Sequence, residues 1–258
     1  MGKLIQKLNR VGSTSAPRLG FGMGTDAKRS GMLLIATIES RDEATAKAAV
    51  SGGADAVLVS EPSAKKTKTS LAKSLGVADN VATGGYASTA ADGEAAGWDF
   101  VVLLPGDPVG PLVDAESLDR VLRLPREVPD ATLRALEALP VDSIVLEIPE
   151  SALLLEDLIS ICRVTQATRK PVLALVPIDI DRSTLIALRD AGVVGLIATV
   201  TKSNVKGLKT LHQMILDLPA KKARGSKSLS APALGLAVHA AGANDDQYEE
   251  EPYEDDEE

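Results

Sequence analysis

Aromatic side chains are scarce: the 258 residues hold one Trp, three Tyr and two Phe. A core must therefore be built from Leu, Val, Ile and Ala. The stacking platforms on which single-stranded nucleic acids are held are nearly absent as well. A single cysteine, Cys162, rules out an internal disulfide, and nothing points to secretion. Its place in an apolar helical run reads as a buried thiol. There are two histidines, His212 and His239, and neither falls at the end of an expected strand. A zinc cluster or a serine–histidine triad is thus unsupported. No uninterrupted apolar stretch reaches the roughly 18 residues of a membrane span. Residues 1–10 lack the apolar centre and cleavage site of a signal peptide. Gly20, Gly22 and Gly24 are not set in a strand-to-helix turn, as a dinucleotide fingerprint requires. The expectations are no transmembrane segment, no nucleic-acid partner and a cytoplasmic setting.

The formal net charge of −8 is an average over unlike parts. Residues 245–258 carry ten acidic residues and no basic one. The remaining 26 acidic and 28 basic residues leave the body at +2. A block of like charge repels itself and buries too little to offset its ordering entropy, so this tail is expected to be disordered. Four parts follow: an arm at 1–32, a body at 33–218, a basic and apolar linker at 219–244, and the acidic tail at 245–258. Leu4, Ile5 and Leu8 give the arm a short amphipathic helix. The two terminal arms are the places where a protein partner would dock.

The body alternates short apolar runs with helical segments. Leu33-Leu34-Ile35-Ala36-Thr37-Ile38 is followed by a helix at 42–51, by Gly52-Gly53, and by Ala56-Val57-Leu58-Val59. This is a strand, a crossover helix and a parallel strand whose faces are both covered. Further strands are expected at 80–83, 100–104, 120–124, 143–147, 172–176 and 194–198. Residues 120–124 could also be helical, but their length and Pro125 favour a strand. Helices are expected at 65–75, 88–96, 130–139, 153–165, 182–191 and 205–218, with a short one at 115–118. In the helix at 153–165 the apolar face is taken as Leu154, Leu155, Leu158, Ile159 and Cys162. Eight such units close an α/β barrel with no free sheet edge. An open doubly wound sheet is the competing arrangement.

In a parallel barrel the strand ends at one mouth supply the chemistry. The polar residues expected there include Glu39, Glu61, Thr83, Asp107, Arg126, Glu127, Glu147, Glu150, Asp179, Thr201 and Lys202. Converging carboxylates repel one another, and a divalent cation with oxygen ligands relieves that repulsion. Glu147, Asp179 and Glu61 are the expected ligands for Mg²⁺ or Mn²⁺. Glu39 supports them, Arg126 would grip a substrate carboxylate, and Lys202 would act as a base or form an imine if buried. The chemistry is a lyase or aldolase reaction on a small anionic oxo-acid through an enolate. The alternative is a barrel without catalysis that serves in regulation or assembly.

Gly53-Ala54-Asp55-Ala56-Val57-Leu58-Val59 and Gly192-Val193-Val194-Gly195-Leu196-Ile197 resemble helix-to-strand junctions of the (β/α)8 TIM-barrel superfamily, which includes small aldolases, lyases and phosphate-binding barrels. The resemblance spans residues 33–218 and implies the eightfold barrel. Phosphate-binding members carry glycine-rich loops after strands 7 and 8. Here those loops read Pro177-Ile178-Asp179-Ile180-Asp181 and Thr199-Val200-Thr201-Lys202, which argues against a standard phosphate site.

Overall fold

In the computed structural model, residues 2–12, 31–39, 42–60, 73, 75–86, 97–108, 118–125, 127–148 and 153–219 are described. The chain divides into two units, Met1–Lys221 and Lys222–Glu258, and the second lies outside the described residues. Most of the helix expected at 65–75, the helix expected at 88–96, the stretch 109–117, most of the linker and the acidic tail also lie outside them.

The apolar runs form eight strands: β1 Leu33–Ile38, β2 Ala56–Val59, β3 Ala82–Tyr86, β4 Phe100–Leu103, β5 Asp119–Leu124, β6 Ser143–Glu147, β7 Val172–Val176 and β8 Val193–Val200. All pair in parallel in chain order, and β8 returns to β1 to close a barrel. Residues 120–124 are a strand, as their length and Pro125 suggested. Described helices are α1 Lys3–Gly12, α2 Glu43–Ser51, α3 Asp130–Ala138, α4 Leu155–Ala167, α5 Arg182–Asp190 and α6 Val205–Leu216. Two expectations need correction. Strand β3 runs through Gly84 and Gly85 instead of ending before them. A Cβ on Gly84 would lie 2.6 Å from the Phe100 ring, and one on Gly85 would lie 2.5 Å from the Trp98 ring. The glycines therefore make room on opposite faces of the sheet for two of the chain's few aromatics. In α4 the buried residues are Asp157, Ile161 and Val164, whereas Leu154, Leu155 and Ile159 stay exposed.

The lower end of the barrel is stitched by aspartates. Asp55, Asp99 and Asp142 stand just before β2, β4 and β6. Each accepts a backbone N–H from the start of the preceding strand: Leu34 at 2.9 Å, Thr83 at 2.9 Å and Arg120 at 2.7 Å. Helix α1 closes this end. Its Leu4, Ile5 and Leu8 are buried in one cluster with Leu33, Ala56, Phe100 and Leu173. The arm thus contains a packed helix.

Strand register sets the interior in layers, since the stagger of a closed barrel makes alternate strands contribute to each level. Thr37 is level in register with Leu58, Leu58 with Gly84, and Tyr86 stands two residues above Gly84. The same walk around the barrel brings Thr37 (β1), Tyr86 (β3), Arg123 (β5) and Leu175 (β7) into one upper layer. Beneath them Leu58, Val102, Val145 and Ile197 form a wholly apolar layer. Above them stand Ser60, Leu104, Glu147 and Thr199, at the C-terminal mouth.

Candidate functional site

Polarity changes sharply from the apolar layer to the one above it. Three of the four residues in the upper layer carry polar groups, and two of these are joined. Arg123 donates from Nε to Glu147 Oε1 at 2.7 Å and from Nη1 to the Tyr86 hydroxyl at 3.3 Å. Residues from β3, β5 and β6 therefore meet at the mouth. The Arg123 side chain is 27% exposed and that of Glu147 46%, so the pair is partly open to solvent. The alternation of β5 explains the placement: Asp119, Val121 and Arg123 share the inward face, and Arg123 is the uppermost.

Three described turns at the mouth are tied down. Asp42 caps α2, accepting from Ala44 N at 3.3 Å and Thr45 Oγ1 at 2.7 Å, and it pairs with Lys202 at 3.1 Å. The Thr45 hydroxyl, and after it Lys202, hold the Asp42 carboxyl below its ordinary range. In the β8–α6 turn, Asn204 Oδ1 accepts Thr201 N at 2.7 Å, Asn204 Nδ2 donates to Thr199 O at 3.1 Å, and the Thr201 and Ser203 hydroxyls lie 2.9 Å apart. Asp181 caps α5 by accepting Thr184 N at 2.6 Å.

Of the residues expected to act, Glu147 is at the mouth but paired with Arg123, a residue absent from the expected set. Glu39 is exposed just after β1, and Asp179 is exposed in the turn after β7. Lys202 pairs with Asp42 and its side chain is 79% exposed, so the burial required for an imine-forming lysine is not provided by its surroundings. Glu61, Arg126 and Glu150 lie outside the described residues. Thr83 sits low on β3 with its hydroxyl 3.3 Å from Asp99, a consequence of the shifted strand. Asp107 accepts Leu104 N at 2.7 Å within its own turn. No three His, Cys, Asp or Glu residues among the described ones are grouped to hold a metal ion. Glu147 and Asp179 alone do not make a metal centre, and the expected set turns on Glu61.

Two cavities are formed by described residues outside the Arg123 cluster. One of about 430 Å³ lies on the barrel flank between β4, β5 and α3, lined mainly by apolar residues such as Leu103, Leu122, Leu124 and Leu136, and extends to Leu104 and Asp107 at the mouth end. Another of about 300 Å³ lies at the lower end beside Leu8, Arg169 and Lys170. Neither contains the Arg123 cluster. The mouth is the stronger candidate because in parallel barrels the C-terminal strand ends carry the chemistry, while the opposite end serves stability.

The closed eight-stranded parallel barrel defines the class: this is a TIM-barrel protein. No family model matches the chain, and no curated protein matches it either. Solved structures do. Thiamine phosphate pyrophosphorylase from Pyrococcus furiosus is similar over 72% of this chain and 96% of its own, at 16% identity and a TM-score of 0.56. A mutant tryptophan synthase alpha-subunit from the same organism is similar over 72% of this chain and 97% of its own, at 10% identity and a TM-score of 0.56. At such identities the likeness shows the fold. No described helix is long and apolar enough to cross a membrane.

Proposed function

We propose that the protein is an enzyme that binds a small anionic oxo-acid in the barrel mouth and performs lyase or aldolase-type chemistry on it. The observation that carries this is Arg123, set by Glu147 and Tyr86 on the inward face of β5 above an apolar floor. A guanidinium held in this way presents its remaining N–H groups in a fixed fork that suits a carboxylate. Arg123 takes the role assigned by sequence to Arg126. In the reaction, a base removes a hydroxyl proton from the carbon that leaves as an aldehyde or ketone. The electron pair of the broken C–C bond moves onto the oxo-acid as an enolate, and a proton then returns to its carbon. Tyr86, within reach of the same guanidinium, can give a hydrogen bond to the carboxylate bound there. Glu39, exposed just after β1, is the candidate base at the rim. The two named structural neighbours are enzymes on the same fold, which agrees with catalysis without indicating this substrate.

Mg²⁺ or Mn²⁺ enters this reading through Glu147 and Asp179 together with Glu61, and none of the steps above requires it. Calorimetric titration of the full chain with each cation, on wild type and Glu147→Gln, tests that part. Saturable binding that is lost in the variant is expected, and its absence from the wild type removes the metal. Carboxylate binding is tested separately with pyruvate. Arg123→Gln should weaken it at least about tenfold, as expected for loss of a hydrogen bond to a charged group. Equal affinity in both proteins overturns the reading.

One observation favours a second reading, a barrel without catalysis used in regulation or assembly. Four of the mouth's charged groups are paired with each other, Arg123 with Glu147 and Lys202 with Asp42. Under that reading no metabolite raises the thermal midpoint in a way that changes at Arg123 or Glu147 remove.

A further inference from the structure

Thr37 shares the upper layer with Arg123 and Tyr86, on the opposite side of the barrel. Its parity along β1 is that of Leu33 and Ile35, both in the interior cluster. Its register partners are Leu58 on β2 and Thr199 on β8. The residue is 4% exposed, and its hydroxyl has no hydrogen-bond partner among the described residues. A buried hydroxyl without a partner is unfavourable, and a valine of the same shape would fill the position without that cost. The layer beneath is wholly apolar, so among the described surroundings only the mouth side can offer the hydroxyl a partner. The guanidinium across the layer attracts anions. A ligand held there by its carboxylate and carrying a second oxygen can meet both groups.

We propose that Thr37 is a specificity-determining contact of the mouth: its hydroxyl donates to the oxo oxygen of a small oxo-acid whose carboxylate lies on Arg123. This inference rests on the oxo-acid reading above and adds its selectivity. A site built to hydrogen-bond a substrate oxygen discriminates against the analogue that lacks it, since the site's own polar group is then left unpaired. The protein therefore prefers an oxo-acid to the unsubstituted acid of the same length and charge. Arg123 supplies the common affinity, and Thr37 supplies the difference.

The test is calorimetric titration of the full chain with pyruvate against propionate and 2-oxobutyrate against butyrate. Wild type, Thr37→Val, Thr37→Ser and Arg123→Gln are compared. Wild type should bind each oxo-acid about tenfold more tightly than its counterpart, the scale of one buried hydrogen bond. Thr37→Val should bring that ratio to about one with little change for propionate and butyrate, and Thr37→Ser should keep the preference. Arg123→Gln should weaken all four ligands. If the acids bind through Arg123 but the wild-type ratio is near one, or Thr37→Val preserves the ratio, this inference fails and the oxo-acid site stands. If none of the acids binds the wild type, both fail. The ligand-free thermal midpoint gives an independent check. Thr37→Val should match or exceed wild type, and a clear fall would show that the hydroxyl serves the fold and would overturn the assignment.

Discussion

Asp42 shows how one side chain joins a helix end to the barrel mouth. It caps α2 and also holds Lys202 from the turn after β8. Its carboxyl is held below the ordinary range first by Thr45 and then by Lys202. The sign follows from linkage. The folded state favours the ionised form, so this contribution is present above the ordinary carboxylate value and is lost as pH falls through the lowered folded midpoint. In an NMR titration, Thr45→Val and Lys202→Met should each raise the Asp42 midpoint; an unchanged midpoint in Thr45→Val would contradict this account of the cap. Arg123 teaches a different lesson at the same scale. It was legible in principle, because Asp119, Val121 and Arg123 alternate on one face of β5. Residues 120–124 suit a helix nearly as well as a strand, and the position of Arg126 just beyond the strand end makes it the more obvious anion contact in the sequence.

Among the elements, α1 is held by an interaction that local sequence does not reveal. Asp119, at the start of β5, accepts backbone N–H groups from Gly2 at 2.7 Å, Leu4 at 2.9 Å and Ile5 at 3.1 Å. A carboxylate from another strand thus serves as the N-terminal cap of α1, and it favours the positive end of the helix dipole. Burial pushes the Asp119 carboxyl above its ordinary value, and the three N–H groups offset part of that. Stability from this group is therefore full below the ordinary carboxylate value and is lost as pH rises through the raised folded midpoint. Asp119→Ala should release α1 at neutral pH and cost about 1–3 kcal/mol, the range for leaving buried donors unsatisfied. Hydrogen exchange should then accelerate at residues 4–8 while the β6 and β7 amides stay protected; unchanged protection of α1 would refute the cap. Periodicity places helix α4 but turns it to the wrong face. Its Leu155 and Ile159 have the apolar spacing of a buried stripe. What decides the rotation is Ile161 and Val164 seating on the sheet, and Asp157 accepting Leu154 N at 2.8 Å.

At the scale of the whole molecule, charge is divided between body and tail. Removing residues 245–258 changes the formal net charge from −8 to +2. The truncated chain should move from anion to cation exchange resin at neutral pH and adhere to anionic surfaces in a salt-sensitive way, since screening acts beyond about 8 Å at physiological salt. Its thermal midpoint should stay within a degree or two of the full chain (estimated as about 0.5 kcal/mol for surface changes). A large fall would mean that the tail is packed on the body. The barrel itself could be anticipated from the chain. Apolar runs long enough only for strands recur at helix-sized intervals, and a parallel sheet with both faces covered leaves no other place for them. The Gly-x-Asp sequences before β2 and β4, and Val141-Asp142 before β6, mark strand starts because the aspartate ties the neighbouring strand. The sequence alone thus determined the strand count, the parallel order and the acidic tail, since these depend on local pattern and composition. Tertiary structure decided the mouth. Thr37, Tyr86 and Arg123 are scattered over 87 positions and share a level only because the closed barrel's stagger brings alternate strands to one height. That stagger is a property of the closed sheet, and no window of sequence contains it.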